Sequence, residues 1–95
     1  MKIIIAGTGT GVPYTKRSSP CIVVLTGKST AILDSGPGSV RKITEAGISH
    51  DQITAAHYTH THVDHVNDLA QLLFVARYDE KPRKSPLTIT GPAGF

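Results

Sequence analysis

Ile3, Ile4 and Ile5 stand at successive positions, and so do Ile22, Val23, Val24 and Leu25. Neighbouring side chains in a strand point to opposite faces. These runs therefore put apolar surface on both sides of one sheet, and such a sheet expects cover on both faces. The chain carries too little helix for that. Residues 39–46, SVRKITEA, read as one helix, with Val40, Ile43 and Ala46 at three-residue spacing. A second helical pattern runs from Asp64 to Tyr78, where Leu69, Leu72, Leu73 and Ala76 follow i, i+3, i+4, i+7 and bury one stripe. Two helices serve one face. The other face waits for more of the same domain or for a partner.

The remaining elements are short. Residues 2–6, 21–26, 30–34, 53–59 and 86–90 read as strands. Gly27-Lys28-Ser29 is a plausible hairpin turn between the second and third. Gly47 suits the position after a helix C-terminus, and Ile48 can close a Schellman contact. Ser49 to Gln52 has the form of a capping box on one helical turn. Gly91-Pro92-Ala93-Gly94 looks like the approach to a further element, and Phe95 sits where that element should begin. The chain thus reads as part of a larger domain.

Composition excludes several classes. The 95 residues are 39% hydrophobic and 18% charged, without a low-complexity run, which is globular. The net charge of +3 is scattered, and the loose Lys81-Arg83-Lys84 group reads as solvated surface rather than a nucleic-acid patch. One cysteine, Cys21, cannot form an internal disulfide and fits a reducing compartment. No stretch has the length of a membrane span or of a signal-peptide core. The expectation is a soluble, cytoplasmic chain with no membrane partner.

The loop GTGTGVP, residues 7–13, invites a dinucleotide reading, but Val12 stands where the third glycine should be and no helix follows. It lacks the Gly-Lys-Ser/Thr of a phosphate loop as well. The glycines read first as a tight turn with positive φ, and second as a loop that lets backbone or substrate come close.

Residues 60–65, HTHVDH, carry the chemistry. His60 and His62 lie just past a strand, where alternate residues point the same way, and can grip one ion. Asp64 and His65 begin the next helix and diverge from that pair, so they can reach a second ion. Imidazole and carboxylate suit zinc, with manganese or iron as alternatives. Read alone, Asp64 is also a good helix N-cap. His57, inside a strand, reads as packed or hydrogen-bonded, and His50 receives no role.

The string H-x-H-x-D-H after a strand resembles the signature of the metallo-β-lactamase superfamily. IIIAGTGTGVP is similar to the opening of ribonuclease Z and its relatives, ILDSGPGSVRKITEAGI to their second motif, and PLTITGPAGF to the strand and turn before their next helix. The resemblance covers residues 1–95 in order and implies the N-terminal half of an αββα sandwich, an α/β (α+β) fold with a mixed sheet and helices on one face. It implies that His60 and His62 bind one zinc, that Asp64 and His65 bind the other, and that Asp64 also orients the attacking water or takes its proton. Asp34 would hold the ligand loop from behind; otherwise it is a turn aspartate.

The implied activity is a dinuclear zinc phosphodiesterase, with RNA and tRNA 3′ ends among its substrates. Pro37 departs from the acidic residue common at that place in ribonuclease Z, and no histidine follows His65 to complete the ligand set. The expectation is therefore a chain inactive by itself. The alternatives are a non-catalytic, self-associating fragment whose apolar face is covered in a homo-oligomer, and a relative of the same fold acting as arylsulfatase, cyclic-nucleotide phosphodiesterase or thioesterase.

Overall fold

A computed structural model describes residues 1–95. Five strands form one sheet in the order of the chain: β1 (Lys2–Gly7), β2 (Cys21–Leu25), β3 (Thr30–Leu33), β4 (Ala55–His57) and β5 (Thr88–Thr90). The first three are antiparallel neighbours, and β3, β4 and β5 run parallel. The sheet is thus mixed, as expected. Parallel pairing needs a crossover. Helix α1 (Ser39–Glu45) and a single 3₁₀ turn (His50–Gln52) connect β3 to β4, and helices α2 (Val63–Val66) and α3 (Leu69–Tyr78) connect β4 to β5.

The register explains the doubly apolar strands. Val23 pairs with Ile32 and Ile32 with Ala56, and all three are fully buried beneath Ile43 of α1 and Leu72 of α3. One residue along, Ile5, Ile22, Leu33 and His57 form a row on the opposite face. There Ile3 and Ile5 are each 56% exposed and Leu33 37%. One face is covered by helices and the other is open.

Helix α1 ends as its sequence predicts. Gly47 has φ of 85°, its N–H donates to the Thr44 carbonyl at 2.9 Å, and the Ile48 N–H donates to the Ile43 carbonyl at 3.2 Å. This is a Schellman ending, with Ile48 buried against the core. The 3₁₀ turn is capped as expected, the Ser49 N–H donating to Gln52 Oε1 at 2.8 Å.

Three expectations need correction. The continuous helix from Asp64 to Tyr78 is broken at Asn67-Asp68. The His65 carbonyl accepts from the Ser35 N–H at 2.7 Å, and the Asp68 N–H donates to the Ser35 carbonyl at 2.9 Å. Both groups would serve an unbroken helix, so Ser35 diverts them. The freed Asp68 then caps α1, its Oδ2 accepting the Val40 N–H at 2.6 Å. Leu73 lies outside the covered stripe, 47% exposed; the stripe runs through Leu69, Leu72, Val75 and Ala76.

The glycine loop is the second correction. Positive φ occurs at Gly38, Gly47 and Gly94, and not at Gly7, Gly9 or Gly11. Close approach is the reason instead: a Cβ on Gly7 would lie 1.8 Å from the Ser19 carbonyl oxygen, and one on Gly9 2.6 Å from that of Ser18.

The third correction concerns Arg83, which is not a solvated charge. Its guanidinium donates to the carbonyls of His50 and Pro86, each at 2.7 Å, and of Ser85 at 2.8 Å.

Candidate metal centre

The parallel strands β3 and β4 end side by side, and both aim their C-terminal loops at α2. Asp34 follows β3; Thr59 to His62 follow β4; Asp64 and His65 lie in α2. The five candidate residues Asp34, His60, His62, Asp64 and His65, from three separate segments, therefore meet at one corner, with Thr59 among them.

Asp34 stands at its centre. Its backbone takes the left-handed region, φ 59°, the one non-glycine residue to do so. Aspartate tolerates this conformation better than most residues, and here several bonds hold it. The Asp34 N–H donates to the His57 carbonyl at 2.8 Å. Its side chain, only 10% exposed, accepts three times: from the Thr59 N–H, from the Thr59 hydroxyl and from His65 Nδ1, each at 2.8 Å. Burial by itself would push this carboxyl up. The bonds from Thr59 and His65, with the charge of the His65 ring, outweigh burial and hold it below the usual carboxylate range.

With Nδ1 committed to a carboxylate, His65 presents Nε2, which lies 3.3 Å from Asp64 Oδ2. The His65 and His60 ring centroids are 4.1 Å apart, and those of His60 and His62 are 4.7 Å apart. His60 Nδ1 is 2.9 Å from the Thr59 hydroxyl, so its Nε2 also remains available. The four candidate ligands are thus adjacent, although no group of three encloses a common point at binding distance. Asp64 does not serve as the N-cap of α2. His62 holds that position, and Asp64 falls in the first turn.

Gly36 makes room for this corner, and Gly11 lies beside it at ordinary contact distance. A Cβ on Gly36 would lie 1.9 Å from the Asp64 carbonyl oxygen, and one on Gly11 would lie 3.4 Å from Asp64 Cγ. The loop after β1 therefore closes on Asp64 from one side and the loop after β3 from the other. The donor set fits a divalent ion: three imidazoles and a carboxylate, one imidazole oriented by a second carboxylate. Sequence reasoning missed Thr59 and Gly36. The signal for Gly36 was its place directly after Asp34-Ser35; Thr59 carried none beyond preceding His60.

His57 and His50 stay apart from the cluster. His57 Nδ1 is 2.7 Å from the Thr90 hydroxyl on the open face, and His50 Nε2 is 2.8 Å from Asp79 Oδ2.

Known proteins share this fold. The family described as Anti-Pycsar protein Apyc1 matches residues 1–93. Ribonuclease Z of Mycolicibacterium gilvum (strain PYR-GCK) is 33% identical over 96 residues, which is 99% of this chain and 33% of that protein. The structure of human tRNase Z, short form, superimposes with a TM-score of 0.86 at 26% identity, over 99% of this chain and 35% of that one. The metallo-β-lactamase fold protein YhfI from Bacillus subtilis gives a TM-score of 0.82 at 22% identity, over 94% of this chain and 37% of that one. The chain spans about a third of the length of the curated relatives it matches. It belongs to the family of Anti-Pycsar protein Apyc1, and it shares the metallo-β-lactamase fold with its ribonuclease Z-like relatives.

Proposed function

We propose that this chain carries one half of the metal centre of a metal-dependent phosphodiesterase, with His60 and His62 toward one ion and Asp64 and His65 toward a second. The observation that carries the reading is the bond from His65 Nδ1 to Asp34 Oδ2, which fixes the ring and leaves Nε2 to a metal. Zinc is the metal we assign, from the imidazole-rich donor set. Bound divalent ions would supply charge to stabilise the oxygens of an attacked phosphodiester and would acidify water.

The chain's own residues do the rest. Asp64, 21% exposed beside His65, is the carboxylate placed to orient a water or accept its proton. Asp34, kept ionised, holds His65 and Thr59 in place. Gly36 lets the loop after β3 close on Asp64. The remaining ligands and the cover for the open sheet face come from outside these residues, in the second half of an αββα domain or in a partner. Residues 1–95 alone hold metal weakly and do not turn over.

RNA is the substrate we favour, because the curated relatives are ribonucleases Z. A small phosphodiester such as a cyclic nucleotide is the second reading. Two observations favour it: the matching family is described as Anti-Pycsar protein Apyc1 rather than as a ribonuclease, and Pro37 replaces an acidic residue common in ribonuclease Z. Assay of the chain with added zinc against bis-p-nitrophenyl phosphate tests the half-site. No turnover is expected. Robust hydrolysis that His62→Ala abolishes would overturn it.

A further inference from the structure

A second buried link joins the ends of the parallel strands. Ser35 follows Asp34 beyond β3, and Tyr58 follows β4 directly. Both residues are fully buried, and Ser35 Oγ lies 2.7 Å from the Tyr58 hydroxyl. Burial pushes the phenol above its ordinary value, with the Ser35 bond working against this, so the hydroxyl keeps its proton. Tyr58 is itself fixed. Its ring stacks on Phe95, centroids 5.4 Å apart and planes within 10°, and its N–H donates to the Thr90 carbonyl at 2.9 Å.

What Ser35 holds is α2. A helix of four residues is too short to stand by itself. The Ser35 N–H donates to the His65 carbonyl at 2.7 Å, and the Ser35 carbonyl accepts from the Asp68 N–H at 2.9 Å. Both backbone groups of one residue thus clamp the C-terminal end of the helix that bears Asp64 and His65. His60 and His62 lie on the other side of the link, in the loop that continues from Tyr58. The Ser35–Tyr58 bond therefore ties the two pairs of candidate ligands together.

We propose that Tyr58 is a positioning residue for the metal corner, acting through Ser35 to set α2 against the loop of His60 and His62. The inference rests on the metal reading above and deepens it. Asp34 orients the His65 ring; the Ser35–Tyr58 bond places the backbone that carries the ring. Without the hydroxyl, Ser35 Oγ is buried with no partner, which favours any turn of Ser35 that finds one, and α2 follows.

Tyr58→Phe removes the hydroxyl and keeps the ring. Ser35→Ala removes the same bond from the other end, and it decides if Tyr58→Phe does not fold. Ile43→Val is the control, taking one buried methyl from the core away from this link. Each variant of the full chain is followed by ¹⁵N NMR of the His65 ring without zinc, and by competition with a chromophoric zinc chelator. In the unaltered chain and in Ile43→Val, His65 should show a protonated Nδ1 and a bare Nε2. In Tyr58→Phe and Ser35→Ala the two nitrogens should move toward a common average, and zinc affinity should fall about tenfold. An unchanged His65 signature with unchanged zinc affinity in both variants would overturn the proposal. If the unaltered chain takes no zinc, the metal reading fails, and the His65 ring without zinc decides on Tyr58: averaging in the two variants supports the link, and no change overturns it.

Discussion

His65 donates from Nδ1 to Asp34 Oδ2 at 2.8 Å, joining the first turn of α2 to the end of β3 across a separation of 31 residues. The same carboxylate takes both donors of Thr59, so one buried side chain sets the course of the loop that bears His60 and His62.

Asp34→Asn should therefore weaken metal binding more than it weakens the fold. The amide keeps the shape of the side chain and loses the charge that orients His65. Loss of such a supporting partner costs about 10–100-fold in metal affinity. Competition with a chromophoric zinc chelator measures it, and unchanged affinity would contradict the role given to Asp34.

Gly36→Ala should destabilise by at least about 1–3 kcal/mol, because a Cβ would stand 1.9 Å from the Asp64 carbonyl oxygen and backbone must move. Gly27→Ala is the control. It meets nothing within 4 Å and has no positive φ, so it should change stability by less than about 0.5 kcal/mol. Urea unfolding of both variants makes the comparison.

The two faces of the sheet should respond differently to substitution. Ile32→Ala, at a fully buried position, should cost about 2–5 kcal/mol. Ile5→Lys, at a position 56% exposed, should stay within about 0.5 kcal/mol if the face is open in solution. A loss as large as that of Ile32→Ala would mean that a second copy covers Ile5, and the mass in solution would then be a multiple of the monomer's.

Cys21 should be inert in the folded chain. Burial pushes its thiol up to about 11; the Ser39 hydroxyl works against this, and the carboxylates of Asp68 and Asp34 add to it. Ellman's reagent should react with it only on unfolding. The sign for stability follows from linkage. The unfolded thiol ionises first, near 9.0, so it binds fewer protons than the folded one as pH rises from there toward 11. Stability is unaffected by this group below about pH 8 and falls by roughly 2–3 kcal/mol across that window. Denaturant midpoints of wild type and Cys21→Ala from pH 7 to 10.5 check it.

Much of this fold was legible in local pattern. The three isoleucines of β1 declared a strand apolar on both faces, of which helices cover one and the other stays open, and Gly47-Ile48 declared the end of α1, because each signal is confined to neighbouring residues. What sequence hid were bonds between distant residues. The helix break at Asn67-Asp68 depends on Ser35, more than thirty positions away, and the periodicity of Leu69 to Ala76 carries no trace of it. The glycine loop was misread for the same reason: positive φ is a local property, whereas the carbonyls of Ser18 and Ser19 that crowd Gly7 and Gly9 arrive from the far side of a hairpin. At the candidate metal corner the four proposed donors were evident in HTHVDH. The posture of Asp34 was evident only as one of two readings, and its grip on Thr59 needed the fold.

The central claim is that His60, His62, Asp64 and His65 form a metal half-site oriented by Asp34. Titration of zinc into the chain, with the imidazole nitrogens of all five histidines followed by ¹⁵N NMR, tests it most directly. The account predicts that Nε2 of His60, His62 and His65 shift together, that His50 and His57 do not move, and that His62→Ala abolishes the response of its neighbours. Zinc-dependent shifts confined to His50 or His57, or no shift in the cluster at millimolar zinc, would contradict it.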